Sequence, residues 1–202
     1  MTRPAIALLD GGTYYHHFAL NDPMVLDRVA GLVPLRGLEA ADLEDFSTVV
    51  VSCRSNPDQL VAVAPALLTV LERGDRLVVM GETEPRRWLP HIQETPLPTN
   101  FWWWLEPGAD LGLSVVAPDH PLFQHVDLAT ATWHYHGMFT VPDGATSLID
   151  CTEGGSILYE DQVTWPGTLV VTSLDPIYHH GSFFMPTASR FLDGLIAWLA
   201  KG

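Results

Sequence analysis

Apolar residues come in short runs along this chain, each closed by a polar or glycine-rich break. Residues 5–9 are apolar at every position and stop at Asp10-Gly11-Gly12. A run apolar on both faces predicts a strand covered on both sides, as in a parallel sheet. A helix is expected over 23–30, with Asp22 as N-cap and Pro23 at the first helical position. A weak strand follows at 32–35, a short turn or helix at 38–45, and a clear strand at 48–52. Asn56-Pro57-Asp58-Gln59 then opens a helix whose apolar stripe is Leu60, Val63, Leu67 and Leu71. Asn56 is placed to cap it, Gln59 to reach back, Pro65 to kink it and Gly74 to end it. Residues 76–80 form the next strand. This strand–helix rhythm predicts a parallel sheet flanked by helices.

The pattern changes after residue 85. Residues 85–98 hold four prolines and read as an excursion without regular structure. Residues 101–105 alternate as a strand would, with Phe101, Trp103 and Leu105 opposite Trp102 and Trp104. Strands are expected at 113–117, 133–141, 145–149, 156–160 and 168–174, separated by turns such as Pro142-Asp143-Gly144. A C-terminal helix over 186–200 would pack Phe191, Leu195, Trp198 and Leu199 on the sheet. No repeat or linker interrupts the chain, so one α/β domain over 1–202 is the expectation.

Charge narrows the partners. Twenty-four acidic residues face ten lysines and arginines, for a formal charge of −14. Polyanions would be repelled on average, and no basic cluster exceeds Arg86-Arg87, so neither nucleic acid nor membrane is an expected partner. There is no signal-peptide core and no apolar run near the ~20 residues a bilayer requires. A soluble, cytoplasmic protein is expected. Cys53 and Cys151 have no metal-binding spacing and read as reduced, buried thiols.

In open α/β sheets ligands bind beyond the carboxyl ends of the strands. Those positions here carry Asp10–His17, Ser52–Ser55, Gly81–Glu84 and Asp175–His180, all polar, glycine-rich or histidine-rich. Six of nine histidines fall in the pairs His16/His17, His134/His136 and His179/His180. Imidazole is a common transition-metal ligand, which makes His16, His134, His136 and His179 metal candidates, with Asp10, Glu82 and Asp175 as acidic partners. The alternative, histidines that hydrogen-bond without metal, stays open, since no diagnostic spacing is present. Neighbours on an extended segment diverge, so each adjacent His-His pair would supply one ligand, whereas His134 and His136 would face the same way. The Asp10-Gly11-Gly12-Thr13 turn lacks both nucleotide-binding fingerprints, and residues 13–18 could close over a pocket. The tryptophan run reads as core, as a homo-oligomer contact, or as a pocket wall. Cys53, beside Arg54, is the one cysteine placed to act as a nucleophile, though no glycine elbow flanks it.

Several segments together resemble the class I glutamine amidotransferase-like superfamily, particularly its trehalose-utilization (ThuA-like) branch. They are Val49-Val50-Val51-Ser52-Cys53-Arg54, Leu71-Glu72-Arg73-Gly74, Leu77-Val78-Val79-Met80-Gly81-Glu82 and His120-Pro121-Leu122. Trp133-His134-Tyr135-His136-Gly137, Pro142-Asp143-Gly144-Ala145 and Leu169-Val170-Val171-Thr172-Ser173-Leu174-Asp175-Pro176 complete the set. The resemblance implies a flavodoxin-like three-layer fold: a mainly parallel sheet, helices on both faces and an added antiparallel portion. Amidotransferases of that superfamily carry a cysteine where this chain has Glu82-Thr83, and His-Pro-Glu where it has Asp175-Pro176-Ile177. The Cys-His-Glu triad is therefore expected to be missing, and glutaminase activity with it. The ThuA-like branch is associated with sugar metabolism.

Two functional expectations result. One is a non-catalytic protein that binds a small polar, carbohydrate-derived ligand through Tyr14, His16, Arg54, Glu82, His136, Asp175 and His179. The other is a hydrolase or isomerase of sugar-like substrates. In it Glu82, its pKa raised by burial, would be the base, and Asp175 and His136 further catalytic candidates, with a divalent transition metal as the one cofactor those histidines could hold.

Overall fold

The computed structural model describes residues 5–98 and 101–201. Ten strands form one mixed sheet. Its parallel half contains β1 (Ile6–Asp10), β2 (Gly31–Pro34), β3 (Thr48–Val51), β4 (Arg76–Val79) and β10 (Thr168–Thr172). Its antiparallel half contains β5 (Gln93–Pro96), β6 (Leu113–Val115), β7 (Gly137–Thr140), β8 (Thr146–Cys151) and β9 (Ser156–Asp161). The order is β2-β1-β3-β4-β10-β9-β7-β5, with β8 joining β9 to β6. Parallel pairing brings the ends of β3, β4 and β10 side by side, with Val51, Val79 and Val171 in register.

Alternation along the parallel strands divides the core in two. Ile6, Leu8, Val50, Val78 and Val170 pack on one face, where α1 (Tyr14–Leu20), α2 (Pro23–Leu26) and α6 (Pro186–Leu199) supply Ala19, Leu20, Val25, Phe191 and Leu195. Ala7, Leu9, Val49, Val51, Leu77 and Val79 face the other way, against Leu60, Val63, Leu67 and Leu71 of α3 (Pro57–Glu72). The result is the expected helix–sheet–helix layering. Asn56 accepts hydrogen bonds from Asp58 N and Gln59 N at 2.9 and 3.2 Å, which caps α3. Pro65 lies inside α3 without ending it. Its side chain is exposed, so the carbonyl that loses its partner one turn back is on the side water can reach.

Several local expectations fail. The helix expected over 23–30 ends at Leu26, and residues 14–20 form a helix instead of a loop, because Thr13 Oγ1 accepts from His16 N. The proline-rich excursion contains β5, an outermost strand, where a proline needs no ladder partner. The tryptophan run is not a strand. Trp103–Leu105 is one turn of 3-10 helix, and Trp102 and Trp104 are 65% and 60% exposed. Residues 133–136 follow the one-turn helix α4 (Leu128–Ala131) and stand outside β7, and residues 176–181 form α5 (Pro176–Gly181). No described helix is long and apolar enough to cross a membrane.

Candidate functional site

The site is built where β3, β4 and β10 end. Ser52-Cys53-Arg54 leaves β3 and Met80-Gly81-Glu82 leaves β4, and both turns end on a residue in the left-handed region: Arg54 at φ 58° and Glu82 at φ 56°. Such a conformation costs a residue with a Cβ on the order of 1 kcal/mol. It is held by packing and hydrogen bonding around it. Arg54 N donates to Gly81 O at 3.0 Å, Gly81 N donates to Leu174 O at 2.8 Å, and Ser52 Oγ is bonded to Leu9 O. Gly81 has to be glycine for a simple reason: a Cβ there would lie 2.3 Å from Ser173 O.

Asp175, fully buried at the start of α5, is the hub. Arg54 donates to its Oδ2 from Nε and Nη2, both at 2.9 Å, and also reaches Glu82 Oε2 at 2.7 Å. The guanidinium stacks on the Tyr178 ring, 3.8 Å from its centroid. His136 bridges the same two acids, with Nδ1 3.1 Å from Glu82 Oε1 and Nε2 3.3 Å from Asp175 Oδ2. Asp175 Oδ1 faces His179 Nε2 at 3.0 Å and His134 Nε2 at 3.7 Å, and those two imidazole nitrogens are 2.9 Å apart.

The electrostatics follow from this wiring. Burial opposes charge on His136, but the hydrogen bonds and charges of Asp175 and Glu82 prevail and raise it to about 9, so it is protonated at neutrality. Burial, together with the charges of His179, His136 and Arg54, lowers His134 to about 4 against the pull of Asp175. Burial would also raise Asp175, yet His136 and His179 hold it well below the usual carboxylate range. Glu82 moves down as well: its burial is outweighed by His136 and Arg54. That corrects the expectation of a carboxyl raised toward neutrality. An ionised Glu82 already paired to two cations is a weak base.

Arg54, Glu82 and His136 line a cleft of about 540 Å³ together with Tyr15, Glu84, Glu94 and Leu97. A second cavity of about 410 Å³ is lined by His134, Tyr135, Trp103, Asp110 and Glu153. Of the residues singled out in the sequence, Arg54, Glu82, His134, His136, Asp175 and His179 meet here. His16 and Tyr14 do not join them. His16 Nδ1 accepts from Gly11 N at 3.0 Å and Nε2 donates to Cys53 O at 2.8 Å, so a fully buried neutral imidazole ties two loops together and has no nitrogen left for a metal. Tyr14 is 61% exposed with its hydroxyl 3.3 Å from Ser182, and Tyr15 takes the place in the cleft wall. Asp10 holds its own turn by accepting from Gly12 N. Each adjacent histidine pair does split: His17 is exposed, and His180 Nδ1 is 2.9 Å from Ser189 Oγ. Cys53 is completely buried, its Sγ accepts from Tyr178 N at 3.2 Å, and burial raises its thiol well above the ordinary value, so it is not an activated nucleophile. Tyr178 lies within the Asp175–His180 stretch singled out in the sequence but is not among the site residues named there; its stacking on Arg54 is a tertiary contact that no local signal carries.

No protein-family model and no curated protein matches the chain. Solved structures do. A provisionally named GMP synthase component from Thermoplasma acidophilum aligns with TM-score 0.60 at 13% identity, over 100% of this chain and 96% of its own. A provisionally named ThuA-like protein from Bacteroides uniformis aligns with TM-score 0.58 at 9% identity, over 98% and 93%. A β-galactosidase from Bacillus circulans sp. alkalophilus aligns with TM-score 0.55 at 12% identity, over 98% of this chain but 31% of the enzyme. At these identities the likeness is one of fold: this chain shares the layered α/β architecture of those structures.

Proposed function

We propose that this chain binds a small, neutral, hydroxyl-rich molecule of carbohydrate type in the cleft at the strand ends, without glutaminase chemistry. The observation that carries this reading is charge balance. Arg54 and protonated His136 face ionised Glu82 and Asp175, Arg86 pairs with Glu94 at 3.1 Å, and Glu84 of the cleft lining pairs with Arg87 at 3.3 Å. An anion or a cation would meet no excess of opposite charge there. A polyol would meet carboxylate acceptors and guanidinium and imidazole donors, beside the apolar surfaces of Tyr15, Pro96 and Leu97. Glu82 stands at the turn after β4, where glutaminase chemistry would need a thiolate, and a carboxylate there forms no thioester.

The test is calorimetric titration with a panel of mono- and disaccharides, with chelator present. At least one should bind with one site per chain, and Glu82→Gln should weaken it roughly tenfold, the loss of a charged hydrogen bond of about 1.4 kcal/mol. Absence of binding across the panel, or affinity indifferent to Glu82→Gln, removes the proposal.

A further inference from the structure

We infer that His134 Nε2, His179 Nε2 and Asp175 Oδ1 form a binding site for one divalent first-row transition-metal ion. The three atoms are 2.9, 3.0 and 3.7 Å from one another. Ligand bonds of about 2.0–2.2 Å, opened to angles of roughly 90–120°, separate two donor atoms by about 2.9–3.6 Å. The triangle therefore has the dimensions of three ligands around one ion.

A second observation points the same way. Asp175 Oδ1 is buried and no donor among the described residues meets it in hydrogen-bond geometry, although His179 Nε2 and His134 Nε2 stand 3.0 and 3.7 Å away. A buried carboxylate oxygen without a partner normally costs a few kcal/mol, and a bound cation would satisfy it. The other oxygen, Oδ2, is clamped by Arg54 and His136, which fixes the carboxylate plane so that Oδ1 faces the histidine pair, as outer partners do for metal-bound carboxylates. The rings are held by packing, with Phe101 4.8 Å from His134 and Phe184 4.8 Å from His179. Two imidazoles and a carboxylate suit zinc, cobalt, iron or manganese in their divalent states, and three protein ligands leave a position for water or substrate. His134 also lines the second cavity.

The experiment is titration of cobalt(II) into chelator-stripped full-length protein at pH 7.5, followed by visible absorption. Expected are an intensified d–d band that saturates at one ion per chain, displacement by zinc, loss of the band in His134→Gln and His179→Gln, and its retention in His180→Gln. A spectrum no different from aqueous cobalt, or a band that survives both His134→Gln and His179→Gln, overturns the inference. Should those variants fail to fold, X-ray absorption of the zinc-loaded wild-type protein decides: two imidazole nitrogens near 2.0 Å support the site, and an all-oxygen shell overturns it. No sugar is present in any arm, and the sugar titration contains chelator, so either proposal can fail alone.

Discussion

At the residue scale the decisive fact is that one carboxylate, Asp175, organises four nitrogen-bearing side chains. His136 is the most accessible reporter of that arrangement. Its folded pKa of about 9 lies above the ~6.5 of an unfolded histidine, so the stability contributed by its charge is complete below about pH 6.5 and is lost as pH rises through 9. A histidine ring titration by NMR should show one midpoint near 9, and Glu82→Gln should bring it down toward the ordinary value. A midpoint unmoved by that substitution would mean the bridge is not formed. Asp175→Ala should cost about 3 kcal/mol in urea denaturation, since it leaves the partly buried Arg54 guanidinium and protonated His136 to share Glu82 as their acidic partner. Arg54, Glu82, His136 and Asp175 were legible in the sequence because each follows or precedes an apolar run. His16 was not, since its place on α1 rather than in a loop turns both ring nitrogens onto backbone.

At the element scale, turns do more than strands. The parallel strands lay legible in short apolar runs and α3 in its cap and stripe, whereas the polar β5 did not. Asn56→Ala should therefore lower stability by about 1 kcal/mol and leave the cleft unchanged, as measured by denaturation and by His136 titration. Gly81→Ala is a different matter. Its new Cβ would overlap the Ser173 carbonyl, the chain ends of β4 and β10 would have to separate, and the denaturation midpoint should fall well below that of the wild type. Short helices were the elements the sequence hid. α1 and α5 have seven and six residues, too few for a hydrophobic period to show, and both are held by packing against each other and their neighbours. The tryptophan run misled for the opposite reason. Its alternation looked like a strand, but no neighbouring segment among the described residues offers it a ladder.

At the scale of the whole molecule, a formal charge of −14 acts on the compact state as self-repulsion. Salt near 0.15 M reduces the screening length to about 8 Å, so the melting temperature should rise between 10 and 150 mM sodium chloride. The buried Arg54–Asp175 pair is screened far less, and the His136 midpoint should shift little over the same range. A melting temperature that falls with salt would show that exposed ion pairs such as Arg87–Asp58 outweigh the repulsion.

The order of strand-forming runs, the layering of helices on both sides of the sheet and the polar character of the strand ends were all written in local chain chemistry, because hydrophobic period and turn residues act over a few positions. Which of those polar residues would touch was decided only by the assembled sheet. Arg54 and Asp175 are 121 positions apart, and His134 and His179 are 45 apart. The left-handed turns at Arg54 and Glu82, the ring orientations, and the convergence of two imidazoles on Asp175 Oδ1 exist only once β3, β4 and β10 lie side by side, since each is imposed by a neighbour that the linear chain keeps far away.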